Sequence, residues 1–193
     1  MQLIATLEVL TFYVIAFGVR SLVQWMKTGK TGFAGVRQGA PPLEWLGAAL
    51  LMLVVVLGPI APWIGSAHFE WGRGFGVALA GLGIVFTLVA QLQMGTSWRI
   101  GVDPSERTAL VTGGVFALVR NPIYSAMLLT SVGLALAVPT TLALALPPVL
   151  LLALEIQVRV VEEPYLREVH GEPYRAWAAR TGRFVPGVGR LTS

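Results

Sequence analysis

The chain contains no cysteine, which excludes structural disulfides, thiolate zinc sites, iron–sulfur clusters and cysteine nucleophiles. Histidine is nearly as scarce. His68 and His170 are the only two, and no cluster of histidines and carboxylates has ligand spacing, so no metal site is expected. Charged residues make up only 12% of the chain, about half the share usual in a soluble domain. The formal net charge of +4 is not interleaved with exposed aromatics as in a nucleic-acid groove, and no nucleic-acid partner is expected.

What is present is apolar. Hydrophobic residues account for 55% of the 193 positions and the mean hydropathy is +0.71. Several runs approach or exceed the ~18 residues that span a bilayer core. The runs lie at about Leu3 to Trp25, Leu43 to Ile64, Phe75 to Met94, Ile123 to Val138 and Leu142 to Val158. We therefore expect an all-α, polytopic integral membrane protein of about five transmembrane helices, with the lipid bilayer as its solvent. The first run carries its basic residues after the apolar stretch, unlike a signal peptide, and reads as a retained helix.

Punctuation between the runs gives the connections. Gly29, Gly32, Gly35, Gly39 and Pro41-Pro42 mark a polar loop. Pro139-Thr140-Thr141 turns segment four directly into segment five, which predicts a helical hairpin. Pro147-Pro148 inside segment five removes backbone donors and is expected to kink or break it, with a cavity beside the kink. Beyond Val158 a helix is expected to run on to Val169, with Gly171 interrupting it and Pro173 opening a last short helix. Gly76, Ala80 and Gly83 form a small-residue face on segment three, suited to close helix packing within one chain or between two. The oligomeric state stays open.

The basic residues set an orientation. Arg20, Lys27, Lys30 and Arg37 fall around the first loop, Arg99, Arg107 and Arg120 in the third, and six arginines in the tail, leaving Arg73 alone on the other side. The positive-inside rule then places the N-terminus outside and the C-terminal segment in the cytosol, at the plasma (inner) membrane if the source is bacterial. We expect one membrane-embedded domain over residues 1–193, with three N-terminal helices in 3–94 and the functional region in 95–188.

The remaining charge collects at the two ends of the hairpin. Arg120-Asn121-Pro122-Ile123-Tyr124 enters it and Glu162-Glu163-Pro164-Tyr165-Leu166 leaves it, so an arginine and a carboxylate pair are brought to one membrane face. Adjacent helical residues sit ~100° apart, so Glu162 and Glu163 are expected to face different surroundings. Arg120 alone also suits a plain interfacial anchor, and Glu162 also suits a surface pair with Arg159.

Gly113-Gly114-Val115-Phe116-Ala117-Leu118-Val119-Arg120-Asn121-Pro122-Ile123-Tyr124, followed by Glu162-Glu163, Leu166, Gly171, Tyr174 and Arg183-Phe184-Val185-Pro186, resembles the isoprenylcysteine carboxyl methyltransferase family, whose relatives include phospholipid N-methyltransferases. The resemblance covers roughly residues 95–188 in detail and the upstream helices only as a hydrophobic pattern. It implies a membrane enzyme that uses S-adenosylmethionine, in a fold without the glycine-rich strand-to-helix fingerprint of soluble dinucleotide-type sites. By the same resemblance Leu110, Val111, Arg120, Asn121, Pro122, Tyr124, Glu162, Glu163 and Tyr174 would line the cofactor site. Eukaryotic members usually have histidine where this chain has Asn121.

The chemistry follows from the donor. S-adenosylmethionine carries a carboxylate, an ammonium and a ribose diol, so an arginine suits the first and a carboxylate the others. The expected reaction is methyl transfer to a lipophilic small molecule or lipidated substrate, such as an isoprenylcysteine-like carboxylate. Arg120 is the expected catalytic residue for positioning, and Glu163 the base if the acceptor is an amine. Two other readings stand beside it: a membrane reductase of the sterol or steroid type using NADPH, and a non-catalytic membrane scaffold.

Overall fold

An apolar run deprived of water satisfies its backbone N–H and C=O groups most simply as a helix. The computed structural model describes residues 1–37, 39–99, 101 and 109–191; among them the extended elements of the fold are helices, and β pairing is confined to isolated bridge positions such as the parallel bridge between Val119 and Gly182. Arg107, counted above for orientation, lies outside the described residues.

Helix α1 is continuous over Gln2–Thr28, with a π-helical stretch at Val14–Val19, and stops at Gly29, whose φ of +73° no other residue adopts readily. Helix α2, Pro42–Leu57, starts on a proline at its first position. It is shorter than the apolar run. Pro59 and Pro62 end it, and Ala61–Trp63 forms one 3-10 turn instead. Helix α3 is Arg73–Met94, α4 is Pro122–Ala137 and α5 is Thr141–Ile156. A second π-helical stretch, Gln157–Glu162, carries α5 into α6, Glu163–Ala178.

Three helical stretches are long and apolar enough to cross a membrane: Gln2–Thr28, Arg73–Ser97 and Thr141–Ala178. Helices α2 and α4 are shorter apolar helices of the same character. The tail behaves as expected at Gly171, where φ +54° and ψ −127° interrupt α6. The prolines in α5 do not break their helix, although a cavity lined by Leu146 and Leu150 does lie beside them. The helix runs through Pro147 and Pro148 unbroken, because a fixed φ near −65° is itself helical and the loss is confined to the donors of one turn. The irregularity in this span lies instead at the π-helical stretch.

Helices α3 and α4 form the closest pair. A Cβ at Gly76 would strike the backbone of Gly133 and Ala137, and one at Gly133 would strike the backbone of Ala80 and Gly76. The small face on segment three is therefore used within this chain, where close backbone approach replaces the hydrophobic drive that lipid does not supply. Across the molecule, the α2–α3 connection is stapled to the hairpin turn. Thr140, fully buried, caps α5 by accepting from the Ala143 N–H and donates to the Ala61 carbonyl at 2.8 Å. The His68 N–H adds a bond to the Pro139 carbonyl at 3.0 Å.

Candidate functional site

The tight turn at 138–140 sends α5 back alongside α4, so the residues before α4 and after α5 meet at one end of the hairpin. The segment after α6 closes over them. The Arg120 and Asn121 N–H groups donate to the Gly182 and Arg183 carbonyls at 2.7 and 3.1 Å, and the Ser125 hydroxyl donates to the Phe184 carbonyl at 2.7 Å. Trp177 donates from its indole to the Phe116 carbonyl at 3.2 Å. The mouth is thus held by a segment about sixty residues away in sequence.

Beneath this strap lies a buried charge network. Glu163 accepts from Arg120 at 2.7 Å and from Arg183 at 2.9 and 3.2 Å. Arg120 also donates to the carbonyls of Ala178, Thr181 and Gly189. All three side chains of the network are about 95% buried, which is sustainable only because each charge has an opposite partner and further hydrogen bonds. For Arg183, burial disfavours the charged form, but the bonds and charges of Glu163, with Glu155 behind, outweigh it and hold the guanidinium above its ordinary pKa. The Arg120 Nε is the one nitrogen of that guanidinium without a partner among the described residues.

Beside the network opens a cavity of about 580 Å³, within the ~300–1,000 Å³ usual for small-molecule sites. Its polar end is lined by Arg99, Arg120, Asn121, Tyr124, Gln157 and Glu162, and its apolar walls come from α1, α2, α4 and the loops at 33–36 and 109–116. The Tyr124 hydroxyl and Gln157 both donate to Glu162 Oε1. Arg99 stacks its guanidinium over the Tyr165 ring at 4.9 Å. Both π-helical stretches border the cavity, through Ala16 and Phe17 on one side and Gln157, Val161 and Glu162 on the other. Widened turns of this kind occur often at functional sites. Here one of them leaves the Ala16 carbonyl to accept from Gln91 at 2.9 Å.

The residues expected at the site therefore divide. Leu110, Val111, Arg120, Asn121, Pro122, Tyr124 and Glu162 all line the cavity. Glu163 and Tyr174 do not. Glu163 faces the two arginines, and Tyr174 packs behind the wall against Phe116 and Trp177. Sequence reasoning gave no site role to Arg183, Arg99 or Gln157, nor to the walls supplied by the first two helices. Two signals for the walls upstream of the hairpin stood in the sequence: Glu44 at the start of the apolar run that forms α2, and Gln91 near the end of the run that forms α3. Glu44 is buried on the cavity wall, paired with Arg37 at 2.9 Å, and Gln91 is buried opposite.

Comparison with known proteins shows which family the chain is similar to. The family model described as phospholipid methyltransferase matches residues 71–173, which include α3, the loop at 109–121, the hairpin and Glu162. Protein-S-isoprenylcysteine O-methyltransferase B of Arabidopsis thaliana is 30% identical over 145 residues, spanning 72% of this chain and 74% of the relative. Protein-S-isoprenylcysteine O-methyltransferase A of the same plant is 28% identical over 143 residues, spanning 73% of each.

Proposed function

Because the chain belongs to the phospholipid methyltransferase family, with isoprenylcysteine carboxyl methyltransferases among its relatives, we propose that it transfers a methyl group from S-adenosylmethionine to a carboxylate on a lipophilic acceptor. The observation that carries this reading is the single cavity in which seven of the nine residues expected around the donor share a wall with apolar helix faces. We read the molecule as five spans with the N-terminus outside and the tail in the cytosol. The polar end of the cavity then opens at the cytosolic face. Residues 1–193 act as one domain, with the donor held by 95–188 and the acceptor reached through the helices of 3–94.

The residues fit the donor. Arg120 borders the cavity, and its guanidinium places a positive charge there that suits a ligand carboxylate. Glu162 offers carboxylate oxygens for an ammonium or a ribose diol, and Asn121 supplies both a donor and an acceptor. When bound, S-adenosylmethionine supplies a methyl carbon on a positively charged sulfonium, and a carboxylate oxygen takes that carbon with no proton to remove. The chain is therefore asked for orientation and exclusion of water rather than for acid–base chemistry. Glu163 and Arg183 act in this scheme as positioning residues, since they hold Arg120 and do not reach the cavity.

Titration of the detergent-purified protein with S-adenosylhomocysteine, alongside NADPH, tests the proposal. Binding of the first that weakens at least tenfold in Glu162→Gln is expected. Binding of NADPH alone would replace this reading with the reductase one.

A further inference from the structure

Glu44 is a carboxylate set into an otherwise apolar helix face. Helix α2 turns Glu44, Ala48, Leu51, Met52 and Val55 toward the large cavity, a spacing that makes one stripe along a helix. Within a turn of Glu44, Gly47 meets α5, where a Cβ would come 2.8 Å from Ile156. Ile156 precedes Gln157, which also borders the cavity, so Glu44 joins the wall at the end of the hairpin where Gln157 and Glu162 lie.

The surroundings of this carboxylate are lopsided. Glu44 is only 3% exposed. Its Oε2 accepts from Arg37 at 2.9 Å, and the Arg37 side chain is 42% exposed and does not border the cavity, so the counter-charge stands on the solvent side. No donor among the described residues reaches Oε1, yet that oxygen is not wholly enclosed. A carboxylate oxygen withdrawn from bulk water and given no donor is costly. Glu162 presents a comparable case, since Tyr124 and Gln157 both donate to its Oε1 and neither to Oε2. The cavity is thus bordered by two carboxylates that each have an oxygen to offer a ligand.

Resting on the methyl-transfer reading above, we propose that Glu44 binds an ammonium group of the acceptor, which is then a free amino acid bearing a lipophilic substituent rather than a residue acylated at its nitrogen. The donor brings one ammonium and one ribose diol, and Glu162 serves those. The acceptor carboxylate is negative, and a wall carboxylate in the same cavity repels it unless a positive group stands between them. An α-ammonium is held there by its own covalent structure, two bonds from the carboxylate carbon. It also gives Glu44 Oε1 a charge-assisted hydrogen bond, roughly twice as strong as a neutral one. Acylation keeps one N–H and removes the charge.

The experiment is a binding comparison of three ligands with the same tail: S-farnesyl cysteine, its N-acetyl derivative, and 3-(farnesylthio)propanoic acid, which has no nitrogen. Each is titrated by calorimetry in detergent into the wild type, Glu44→Gln and Arg37→Gln, with a parallel titration of S-adenosylhomocysteine. In the wild type the free amino acid binds at least tenfold tighter than the nitrogen-free acid, and the N-acetyl derivative sides with the latter. Glu44→Gln brings the free amino acid within twofold of the other two. Arg37→Gln, which removes the counter-charge and keeps the carboxylate, widens its advantage at least threefold. An ion pair that merely latched the loop before α2 would weaken all three ligands alike in both variants, and that result overturns the proposal. Equal binding of the amine and the nitrogen-free acid to the wild type also overturns it, and this comparison decides alone if a variant does not fold. Weaker S-adenosylhomocysteine binding in Glu44→Gln with the acceptor preference intact would assign Glu44 to the donor instead. Failure of S-adenosylhomocysteine to bind the wild type would overturn the methyl-transfer reading and leave the ammonium preference standing.

Discussion

The Tyr124 hydroxyl donates to the Glu162 carboxylate across the mouth of the α4–α5 hairpin, joining residues 38 positions apart at the polar end of the cavity. Behind them, and turned away from the cavity, Glu163 is held by Arg120 and Arg183. Neighbouring carboxylates thus have separate tasks, one toward the space a ligand occupies and one toward the frame that shapes it.

Substitution at the first pair is expected to affect ligands and spare the fold. Tyr124→Phe removes the hydrogen bond that orients the Glu162 carboxyl at the polar end of the cavity. Calorimetry should show S-adenosylhomocysteine binding about tenfold weaker or more, with the thermal midpoint in detergent unchanged. A large drop in the midpoint with normal binding would move Tyr124 from the site to the frame.

Substitution at Glu163 is expected to do the reverse. Glu163→Ala leaves Arg120 and Arg183 buried without their counter-charge, which costs about 3–5 kcal/mol. The unfolding midpoint should fall sharply, and residual activity should scale with the folded fraction. An undiminished midpoint with abolished methyl transfer would instead make Glu163 a participant in the chemistry.

Helix α3 and helix α4 offer a purely structural test. Gly133→Val places a side chain against the backbone of Ala80 and Gly76, and neither helix can yield without separating the pair. Destabilisation of about 1–3 kcal/mol or more is expected, read as a lower thermal midpoint. Val132→Ala, on the exposed side of the same turn, should be close to neutral.

Orientation is testable because the chain has no cysteine of its own. Ser66→Cys and Val188→Cys each introduce a single thiol at an exposed position. A membrane-impermeant maleimide added to intact cells should label the first and not the second. The opposite pattern would invert the proposed topology.

The helices were legible because hydrophobic runs and punctuation residues state them almost directly. The hairpin and its meeting of Arg120 with the Glu162-Glu163 pair followed from one short turn. The division of labour between the two carboxylates was only half legible: helical geometry separates adjacent residues, but which one meets arginine depends on Arg183, supplied by a segment that packs back from beyond α6. The cavity walls from α1 and α2 were scarcely legible, with Glu44 the one signal in that part of the sequence. Phe12, Phe17 and Leu51 read as ordinary lipid-facing or core positions until the packing is known. Pro147-Pro148 did not break the helix, since the loss of a proline's donor is local and the rest of the helix keeps its own hydrogen bonds.

The strap formed by residues 181–189 is made after every helix it fastens, since synthesis runs from the N-terminus. The bonds from Arg120 and Asn121 to Gly182 and Arg183 join residues about sixty positions apart, and so can form only once the whole hairpin between them has been made. A chain ending after α6 would keep every helix and lose the Thr181 and Gly189 carbonyls that hold Arg120, so the shape of the mouth depends on a segment that adds no helix of its own.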